Sequence, residues 1–431
     1  MTRVVVVGAG PAGLAAAEHA LGAGAEVTVL DQADAPGGQY HRTWPPGRHG
    51  FERVLSRCTW WPDSTVWALE GKRVHVLRGP ADGSGRQRHT LEPDALILAT
   101  GAHDRTLPFP GWQLPGVFTA GAAQALAKGE RVAIGRRVLV AGAGPFLLPV
   151  AESLLGVGAD VVAVLEANPA TTVRKGWSWG AAAHLGKMNE LVRYAVALAR
   201  HRVPYLLGRV VVEARGDDRV REVVTARVHA DWSVVAGTER TYEVDAVCVS
   251  HGFVPQPELA VAAGCVLDGG FVRVGDDQGT SVAGVFAAGE ITGIGGAGTA
   301  AAEGAVAGCA AAGGTPSRAL LEKRDRARAF ARRLAAAHPI GAAWPGWLRA
   351  DTIVCRCEET TYGDLKSAAA DPAAPGPHAL KLGTRAGLGP CQGRMCGPAV
   401  AELCGGTERH HRPIAQPIRL GELADPKETE A

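Results

Sequence analysis

The sequence of 431 residues lacks several features that mark large classes of protein. It has no excess of charge and no low-complexity polar stretch, which argues against disorder. The net charge is only +2, so electrostatics does not favour a nucleic acid or an anionic membrane as a partner. The longest apolar stretches are rich in Ala and Gly and are interrupted by Glu303, so no transmembrane helix is expected.

The sequence also leaves no room for a secretion signal, because it begins directly in a predicted buried strand. We therefore expect a cytoplasmic protein without obligatory membrane attachment. Nine cysteines, several in close pairs near the C-terminus, indicate a metal centre rather than disulfides in a large cytoplasmic protein. The chain is too long for one hydrophobic core, and two or three domains are expected.

The stretch 3–31 carries a strand, a glycine-rich turn, a helix, a second strand and an acid. Residues 3–7 form the short apolar run of a buried strand, and G-x-G-x-x-G follows at the start of an Ala-rich helix. The glycines of this motif are Gly8, Gly10 and Gly13. They permit the turn, the approach of a pyrophosphate and close packing of helix on strand, with the phosphates at the helix N-terminus. Asp31 ends the second strand, where it can accept hydrogen bonds from a ribose, so the stretch predicts a site for a dinucleotide or for its adenylate part.

Three further segments are expected to complete this site. A Gly-Gly-Gln turn follows the second strand and resembles the corresponding loop of two-dinucleotide flavoproteins, although a simple glycine turn remains an alternative. The apolar strand 94–99 leads into Thr100-Gly101, and the strand 284–290 ends at an acid. The predicted cofactor-binding residues are Gly8, Gly10, Pro11, Ala12, Gly13, Asp31, Gln32, Gly38, Gln39, Ala99, Thr100, Gly101, Gly289 and Glu290.

A second strand, turn and helix begins at Val138, with an incomplete glycine motif. Gly142 and Gly144 are present and Glu166 holds the acid position, but Leu147 stands where the third glycine is expected. The sequence does not decide whether this region binds NAD(P) or is a degenerate domain kept for structure. No C-x-x-C pair lies in this region, which argues against the redox disulfide of thioredoxin-reductase-like enzymes.

The order of these units predicts an α/β protein with two Rossmann-like dinucleotide-binding domains, the second inserted into the first, and a small α-rich C-terminal domain. The expected boundaries are 1–113 and 252–316 for the first domain, 114–251 for the second, 317–350 for a linker helix, 351–406 for a cysteine domain and 407–431 for a tail. The linker is predicted as a basic amphipathic helix over 317–338. Its arginines expected in solvent are Arg324, Arg328, Arg332 and Arg333.

Four cysteines form the pattern C-x-C followed by C-x4-C: Cys355, Cys357, Cys391 and Cys396. Four thiolates in two close pairs on turns can surround two irons, and the neighbouring glycines allow N–H groups to point at the sulfurs. Zinc also accepts four cysteines, although C-x2-C pairs are its commoner pattern. A structural zinc site, free thiols and a disulfide remain alternatives.

These motifs resemble one family of flavoprotein subunits. The segments CRCE and TRAGLGPCQGRMCGP resemble the [2Fe–2S] domain related to bacterioferritin-associated ferredoxin. Together with GAGPAGL, GGQ, ILATGA, PFPGW and LPGVFTAG they extend the resemblance over residues 3 to about 420. The chain is similar to the α (A) subunits of opine oxidases, D-hydroxyproline dehydrogenases and hydrogen cyanide synthase, which are themselves similar to the α subunit of sarcosine oxidase.

The resemblance implies FAD, or an adenine nucleotide alone, at the first site and a [2Fe–2S] cluster on the four cysteines. It also implies a partner β subunit of the D-amino-acid-oxidase fold that carries the substrate, FMN at the interface and, in some complexes, a small ferredoxin-like γ subunit. Two positions depart from the family pattern: His103-Asp104 replaces Arg-Glu, and Glu290 replaces the Asp that holds the ribityl chain.

The leading hypothesis is an electron-transfer subunit of a complex that oxidises a secondary-amine amino acid. No general base with an orienting neighbour is found, so no catalytic residue is predicted in this chain. His103 and His251 lie near predicted cofactor loops, without an assigned role. Two alternatives stay open: a stand-alone NAD(P)H-dependent reductase with FAD and the cluster, against which Leu147 argues, and a non-catalytic scaffold with structural zinc.

Overall fold

The computed structural model describes residues 1–42, 50–177, 185–372, 376–405, 414–424 and 428–430. The chain divides into two compact units. The first comprises residues 1–103, 255–332 and 409–431, and the second comprises residues 104–254 and 333–408. The first two changes of unit along the chain fall in two short strands, Ala102–Asp104 and Phe253–Pro255, and the third falls within the helix Arg318–Ala337.

The first unit is built on a five-stranded parallel sheet. In spatial order its strands are Val285–Ala287, Ala95–Leu98, Arg3–Val7, Glu26–Leu30 and Thr59–Trp61. The valines of the central strand alternate between two hydrophobic cores, Val5 and Val7 in one and Val4 and Val6 in the other. The central strand is therefore covered on both faces, which explains its uninterrupted run of valines.

A small antiparallel sheet lies in the same unit. Its antiparallel strands are Ser64–Glu70, Arg73–Arg78 and Gln87–Leu91. The strand Glu428–Glu430 pairs with the third strand at the edge of the sheet. Two further short strands, Leu267–Asp268 and Phe271–Val272, form a hairpin.

The helices of the first unit are Pro11–Gly22, Gly38–His41, Glu52–Leu55, Glu258–Ala262, Gly296–Ala311, Leu420–Ala424 and the main part of Arg318–Ala337. The first and the fifth of these are in backbone contact. A Cβ on Gly304 would lie 2.0 Å from the carbonyl oxygen of Ala12, and a Cβ on Gly308 would lie 2.0 Å from that of Ala16. The glycines thus allow the two helices to approach more closely than side chains would permit.

The helix Arg318–Ala337 confirms the predicted linker helix, but the expectation that Arg324 and Arg328 are exposed was wrong. Arg324 is only 3% exposed and donates to Asp325 and to the backbone oxygen of Asp276. Arg328 donates to the carboxylate of Glu303 at 2.7 Å. Helical periodicity in the sequence distinguishes the polar face of a helix from its apolar face. It does not show whether a buried acid on another element lies opposite that polar face.

The second unit repeats the architecture of the first. The strands of its five-stranded parallel sheet are, in spatial order, Tyr205–Leu207, Asp160–Glu166, Arg137–Gly142, Ala246–Ser250 and Val117–Thr119. An antiparallel sheet follows, with strands Arg209–Arg215, Glu222–Arg227 and Arg240–Glu243. The helices are Ala120–Ala125, the π-helical turn Leu126–Glu130, Leu147–Gly156, Ala170–Trp177 and Leu185–Arg200. The predicted α/β class with two Rossmann-like folds is confirmed.

The cysteine-rich segment is a small, mainly helical region of the second unit. It contains a hairpin of Ile353–Cys355 and Thr360–Thr361 and the helices Tyr362–Ala369, Pro377–Thr384 and Gly397–Cys404, after the 3-10 turn Trp344–Trp347. Its core joins Val354, Leu365 and Leu380 to the thiols of Cys355 and Cys396. Across the described ranges, no helix combines the length and apolar character needed to cross a bilayer.

Candidate cofactor sites

The glycine loop of the first unit is shaped by contacts that exclude side chains. Gly8 has a φ of 106°, and a Cβ there would lie 2.3 Å from the carbonyl oxygen of Ala99. A Cβ on Gly13 would lie 1.7 Å from the oxygen of Gly8, whereas a Cβ on Gly10 would meet no atom within 4 Å. Two glycines are therefore required by packing, and the middle one borders open space where a pyrophosphate can approach.

Asp31 connects the end of the second strand to this loop. Its Oδ2 accepts the N–H of Ala9 at 2.6 Å, and its Oδ1 accepts the N–H of Ala33 at 2.8 Å. Burial raises the pKa of Asp31, and these two N–H groups offset part of the rise. Because each carboxylate oxygen has two lone pairs, the side chain retains acceptor capacity for a ribose hydroxyl.

The Gly-Gly-Gln turn packs against the glycine loop, and its role in binding a cofactor stays a prediction. The N–H of Gly37 donates to the oxygen of Ala9 at 2.8 Å, and a Cβ on Gly38 would lie 3.0 Å from the Cα of Gly10. The side chains of Gln32 and Gln39 are exposed. The turn therefore contributes backbone to the rim of the loop.

The strand ends at Thr100 and Glu290 meet other parts of the first unit. Thr100 donates its hydroxyl hydrogen to the backbone oxygen of Gln256 at 2.7 Å. The Oε1 of Glu290 accepts the N–H of Gly296, the first residue of a long helix, at 3.2 Å. Burial raises the pKa of Glu290, and the Gly296 N–H partly offsets this. In the structure Glu290 holds a helix N-terminus, a contact that the sequence did not predict.

Glu303 was not among the predicted residues. It is 3% exposed and accepts hydrogen bonds from the N–H of Gly289 at 2.9 Å, from Thr292 at 2.7 Å and from Arg328 at 2.7 Å. A buried carboxylate requires such partners. It fixes the Gly289 loop, where a Cβ would lie 2.8 Å from the Cβ of Ala12. The sequence signal that could have indicated Glu303 was a lone acid inside an Ala- and Gly-rich helix.

The structure thus brings the predicted backbone segments of the first site together at the carboxyl edge of the parallel sheet. This edge is where such sheets bind their ligands. The open face at Gly10, the helix that begins at Pro11 and the lone pairs of Asp31 fit the phosphates and ribose of a dinucleotide. The binding roles of the individual residues stay predictions.

The corresponding loop of the second unit is closed. A Cβ on Gly142 would lie 1.7 Å from the oxygen of Ser250, and the N–H of Gly144 donates to Glu166 at 2.7 Å. Glu166 is fully buried and also accepts the backbone and side-chain N–H groups of Asn168, both at 2.9 Å. Leu147, in the place of the third glycine, is fully buried at the start of its helix.

Two histidines lie near this second loop. The Nδ1 of His338 is 3.2 Å from Glu166, within ion-pair range when protonated, but it is not oriented for a hydrogen bond. Burial and the positive charge of Arg105 lower the pKa of His251 to about 3, so this side chain is neutral at physiological pH. The environment of His251 does not suit proton exchange near neutrality.

The four predicted metal-ligating cysteines lie close enough to affect one another. Cys355 and Cys396 are buried, at 1% and 3% exposure, Cys391 is half-buried and Cys357 is exposed. Cys396 interacts with Cys355, and Cys357 interacts with Cys391, closely enough for each neighbour to shift the pKa of the thiol. Burial, together with the neighbouring Cys355, raises the pKa of Cys396. Among the described residues no three or more His, Cys, Asp or Glu side chains form a site for a single metal ion.

The backbone around Cys391 is arranged for a charged sulfur. Burial raises the pKa of Cys391, but the N–H groups of Met395, Gly393 and Arg394 and the thiol of Cys357 outweigh it, and the net shift is downward. At Gly389 a Cβ would lie 2.3 Å from the Cβ of Cys357, so a larger residue would close this space. Four cysteine thiols are the donor set of an iron–sulfur cluster.

Comparison with known proteins agrees with both sites. Residues 2–307 match the model of the pyridine nucleotide-disulphide oxidoreductase family, and residues 353–404 match the BFD-like [2Fe-2S] binding domain. The A subunit of opine oxidase from Rhizobium meliloti is 34% identical over 475 residues, covering 98% of this chain and 87% of the relative. The HcnB subunit of hydrogen cyanide synthase from Pseudomonas aeruginosa is 31% identical over 452 residues, covering 95% of this chain and 94% of the relative.

The fold is also that of a solved oxidoreductase. The structure of L-proline dehydrogenase from P. horikoshii superposes with a TM-score of 0.67 at 18% identity, covering 98% of this chain and 79% of that one. The chain belongs to the pyridine nucleotide-disulphide oxidoreductase family and, within it, to the group that contains HcnB and the A subunits of opine oxidases. It is an oxidoreductase whose two matched regions imply a dinucleotide of the FAD type and a [2Fe–2S] cluster.

Proposed function

We propose that the chain is the electron-transfer subunit of a heteromeric flavin-dependent dehydrogenase. The substrate class is a secondary-amine amino acid, such as an opine, D-hydroxyproline or proline, oxidised at a flavin in a partner β subunit of the D-amino-acid-oxidase fold. FMN at the interface and a small ferredoxin-like γ subunit belong to the same proposal. The relatives are themselves named as subunits of larger enzymes, which supports a complex of several chains.

One observation carries this proposal: the four thiols form a set with a buried side and an exposed side. Cys355 and Cys396 lie in an apolar core with Leu365, whereas Cys357 reaches the surface. A bound cluster supplies one-electron transfer, and an exposed ligand leaves one side of it accessible to a redox partner.

The residues around the cluster positions also have a defined task. The backbone around Cys391, at Met395, Gly393 and Arg394, lowers the pKa of its thiol against the effect of burial and so favours a negative charge on the sulfur. Hydrogen bonds to the sulfurs are one of the determinants of cluster potential. In the first unit, the loop at Gly10 and the carboxylate of Asp31 orient the dinucleotide, and buried Glu303 keeps the facing Gly289 loop in place.

The test is co-expression of this chain with a candidate β subunit, a flavoprotein of the amino-acid-oxidase type from the same genome, followed by purification through a tag on this chain only. We expect the flavoprotein to co-purify, with flavin and about two irons per copy of this chain. The complex should oxidise a secondary-amine amino acid with a dye acceptor, and this chain alone should not. Full-rate oxidation by this chain alone would contradict the proposal.

A stand-alone NAD(P)H-dependent reductase is the second candidate, and the family match over residues 2–307 favours it. It requires a usable nicotinamide site in the second unit. Rapid bleaching of the bound flavin by stoichiometric NADH would support this candidate, and its absence would exclude it.

A further inference from the structure

The two glycine loops differ in what covers them. In the first unit Gly10 borders open space, whereas Gly142, Ala143 and Gly144 of the second unit are all buried. The space beside Gly142 that Phe109 and Val211 border is too narrow for a water molecule. As the described residues stand, the second loop therefore offers a nucleotide no opening.

The covering atoms belong to residues 337–348, which we call the plug. The Cβ of His338 lies 4.0 Å from the place that a Cβ would take on Gly144. Trp344 and Trp347, 2% and 6% exposed, pack in one hydrophobic core with Ala143, the middle residue of the glycine loop, and Ala167. The plug thus occupies the carboxyl edge of the second sheet, where a dinucleotide would lie.

Trp232 holds the plug from the opposite side. Its ring stacks on Trp347 with the centroids 5.9 Å apart, and its backbone oxygen accepts the indole N–H of Trp347 at 3.1 Å. Its own indole N–H reaches the side-chain oxygen of Asn168 at 3.4 Å. A Cβ on Gly341 would lie 2.3 Å from the Trp232 ring, so the plug is packed without free space at that point.

Glu166 has little acceptor capacity left for a ribose. A carboxylate offers about four acceptor positions. The donors that use three of them are the N–H of Gly144 and the backbone and side-chain N–H groups of Asn168. His338 covers the remaining approach, with its Nδ1 3.2 Å from Oε2 of the carboxylate. Asp31, by contrast, accepts two backbone N–H groups and keeps lone pairs for a ligand.

We infer that the plug permanently fills the second dinucleotide crevice and that Glu166 and His338 exclude NAD(P)H from it. The acid that would hold a ribose in a nucleotide-binding unit instead accepts hydrogen bonds from Gly144 and Asn168, and Asn168 in turn accepts the indole N–H of Trp232, which stacks on the plug. This deepens the proposed function, on which it rests for the direction of electron flow, because a chain closed to NAD(P)H takes its electrons from a donor other than a pyridine nucleotide.

The first test is titration of the full-length chain, with its flavin and cluster in place, with NADH and NADPH. Binding is followed by energy transfer from tryptophan to the reduced nicotinamide and by flavin bleaching. We expect no saturable signal up to about 1 mM, the upper end of ordinary KM values. A saturable signal below that concentration overturns the inference. Failure of the proposed function would be seen in the co-expression experiment instead, as a complex that does not oxidise amino acids.

The second test measures amide hydrogen exchange in Glu166→Gln. Loss of the charge weakens the hydrogen bonds that Glu166 accepts, so exchange in peptides covering 142–147 and 337–348 should rise together by about tenfold or more. The loop 8–13 should exchange unchanged. If Glu166→Gln does not fold, His338→Ala should raise exchange in the same two peptides.

Glu152→Gln is the matched control, because Glu152 lies in the same unit and pairs with Arg193 at the surface. It should leave both peptides unchanged. Unaltered exchange in the plug of Glu166→Gln or, where that variant does not fold, of His338→Ala would show that these side chains do not anchor it, and the inference would fail.

Discussion

Asp31 and Glu166 occupy equivalent positions in the two units, at the end of the second strand of each parallel sheet. Asp31 is partly exposed and faces a loop that borders open space. Glu166 is fully buried, and its acceptor positions are used by its own unit. Glu166 is one methylene longer than Asp31 and has different neighbouring side chains. Asp31 is therefore available to a ligand, whereas Glu166 forms hydrogen bonds that hold its own unit together.

Replacement of Asp31 by Ala should weaken binding of the dinucleotide. It removes a ribose acceptor and leaves the N–H groups of Ala9 and Ala33 without their partner, at a cost of about 1–3 kcal/mol, or roughly five- to 150-fold in affinity. Flavin retained after gel filtration and a titration of the stripped protein with FAD measure the change. Asp34→Ala, an exposed acid of the same segment, should bind FAD like the wild type. Equal affinity in both variants would remove Asp31 from the site.

Replacement of a buried cysteine, Cys355→Ser or Cys396→Ser, should abolish the cluster, because it removes one of the four thiolate ligands that this chain supplies to the two irons. Iron analysis and the visible absorption of the purified chain measure the loss, expected to be nearly complete. Cys404→Ser, at the end of the following helix, is the control and should retain iron. Iron retained in both buried variants, or one zinc with no iron in the wild type, would contradict the assignment.

Residue types and spacing were sufficient to predict the first glycine loop, Asp31 and the four cysteines as candidates. They were insufficient for Glu303, Arg328 and His338. These side chains act on segments distant in the sequence, Arg328 and Glu303 as an ion pair between two helices and His338 against the glycine loop of another strand. A pattern within one element does not reveal partners on another.

At the scale of elements, the helices Pro11–Gly22 and Gly296–Ala311 are held by contact between small residues. Gly304→Ala should be destabilising by about 1–3 kcal/mol, because its Cβ would lie 2.0 Å from a backbone oxygen of the facing helix. Gly22→Ala, where a Cβ meets no atom within 4 Å, should be neutral or slightly stabilising. Denaturant unfolding of both variants makes the comparison, and equal stabilities would contradict the packing described.

The segment 414–424 is fastened to the antiparallel sheet of the first unit by an ion pair. Arg86 donates two hydrogen bonds to Glu422, at 2.7 and 2.8 Å, and these hold the pKa of Glu422 below its ordinary value of 4.5. A carboxyl whose pKa is lowered in the folded state stabilises it above the ordinary pKa, and this stabilisation is lost as the pH falls through the lowered value.

Glu422→Gln should therefore loosen this segment at pH 7, and the difference from the wild type should disappear in acid below the folded-state pKa of Glu422. Limited proteolysis of the tail at several pH values measures it. Glu322→Gln, which removes an exposed pair with Arg318, is the control and should leave proteolysis unchanged. A difference between Glu422→Gln and wild type that persists undiminished in acid would contradict the role of the ion pair.

At the scale of the whole molecule, the two α/β units share a fold but differ at their glycine loops. The loop of the first unit borders open space, whereas residues 337–348 cover the loop of the second. Two strand, turn and helix patterns in the sequence correctly indicated both Rossmann-like folds, because hydrophobic runs and glycine turns are local signals. Because Leu147 replaces the third glycine, the sequence did not decide whether the second site binds a nucleotide. Only the three-dimensional contacts of residues 337–348 show how this site is filled. The predicted boundaries at 113, 252, 317 and 351 stay predictions.

The central claim is that electrons leave another chain's active site through the cluster of this one. Its most direct measurement is electron paramagnetic resonance of the co-purified complex, frozen after anaerobic addition of the amino-acid substrate. We predict the signal of a reduced [2Fe–2S] cluster in the complex, and none when substrate is added to this chain alone or to a complex carrying Cys396→Ser. Substrate oxidation that leaves the cluster of the intact complex oxidised would contradict the account.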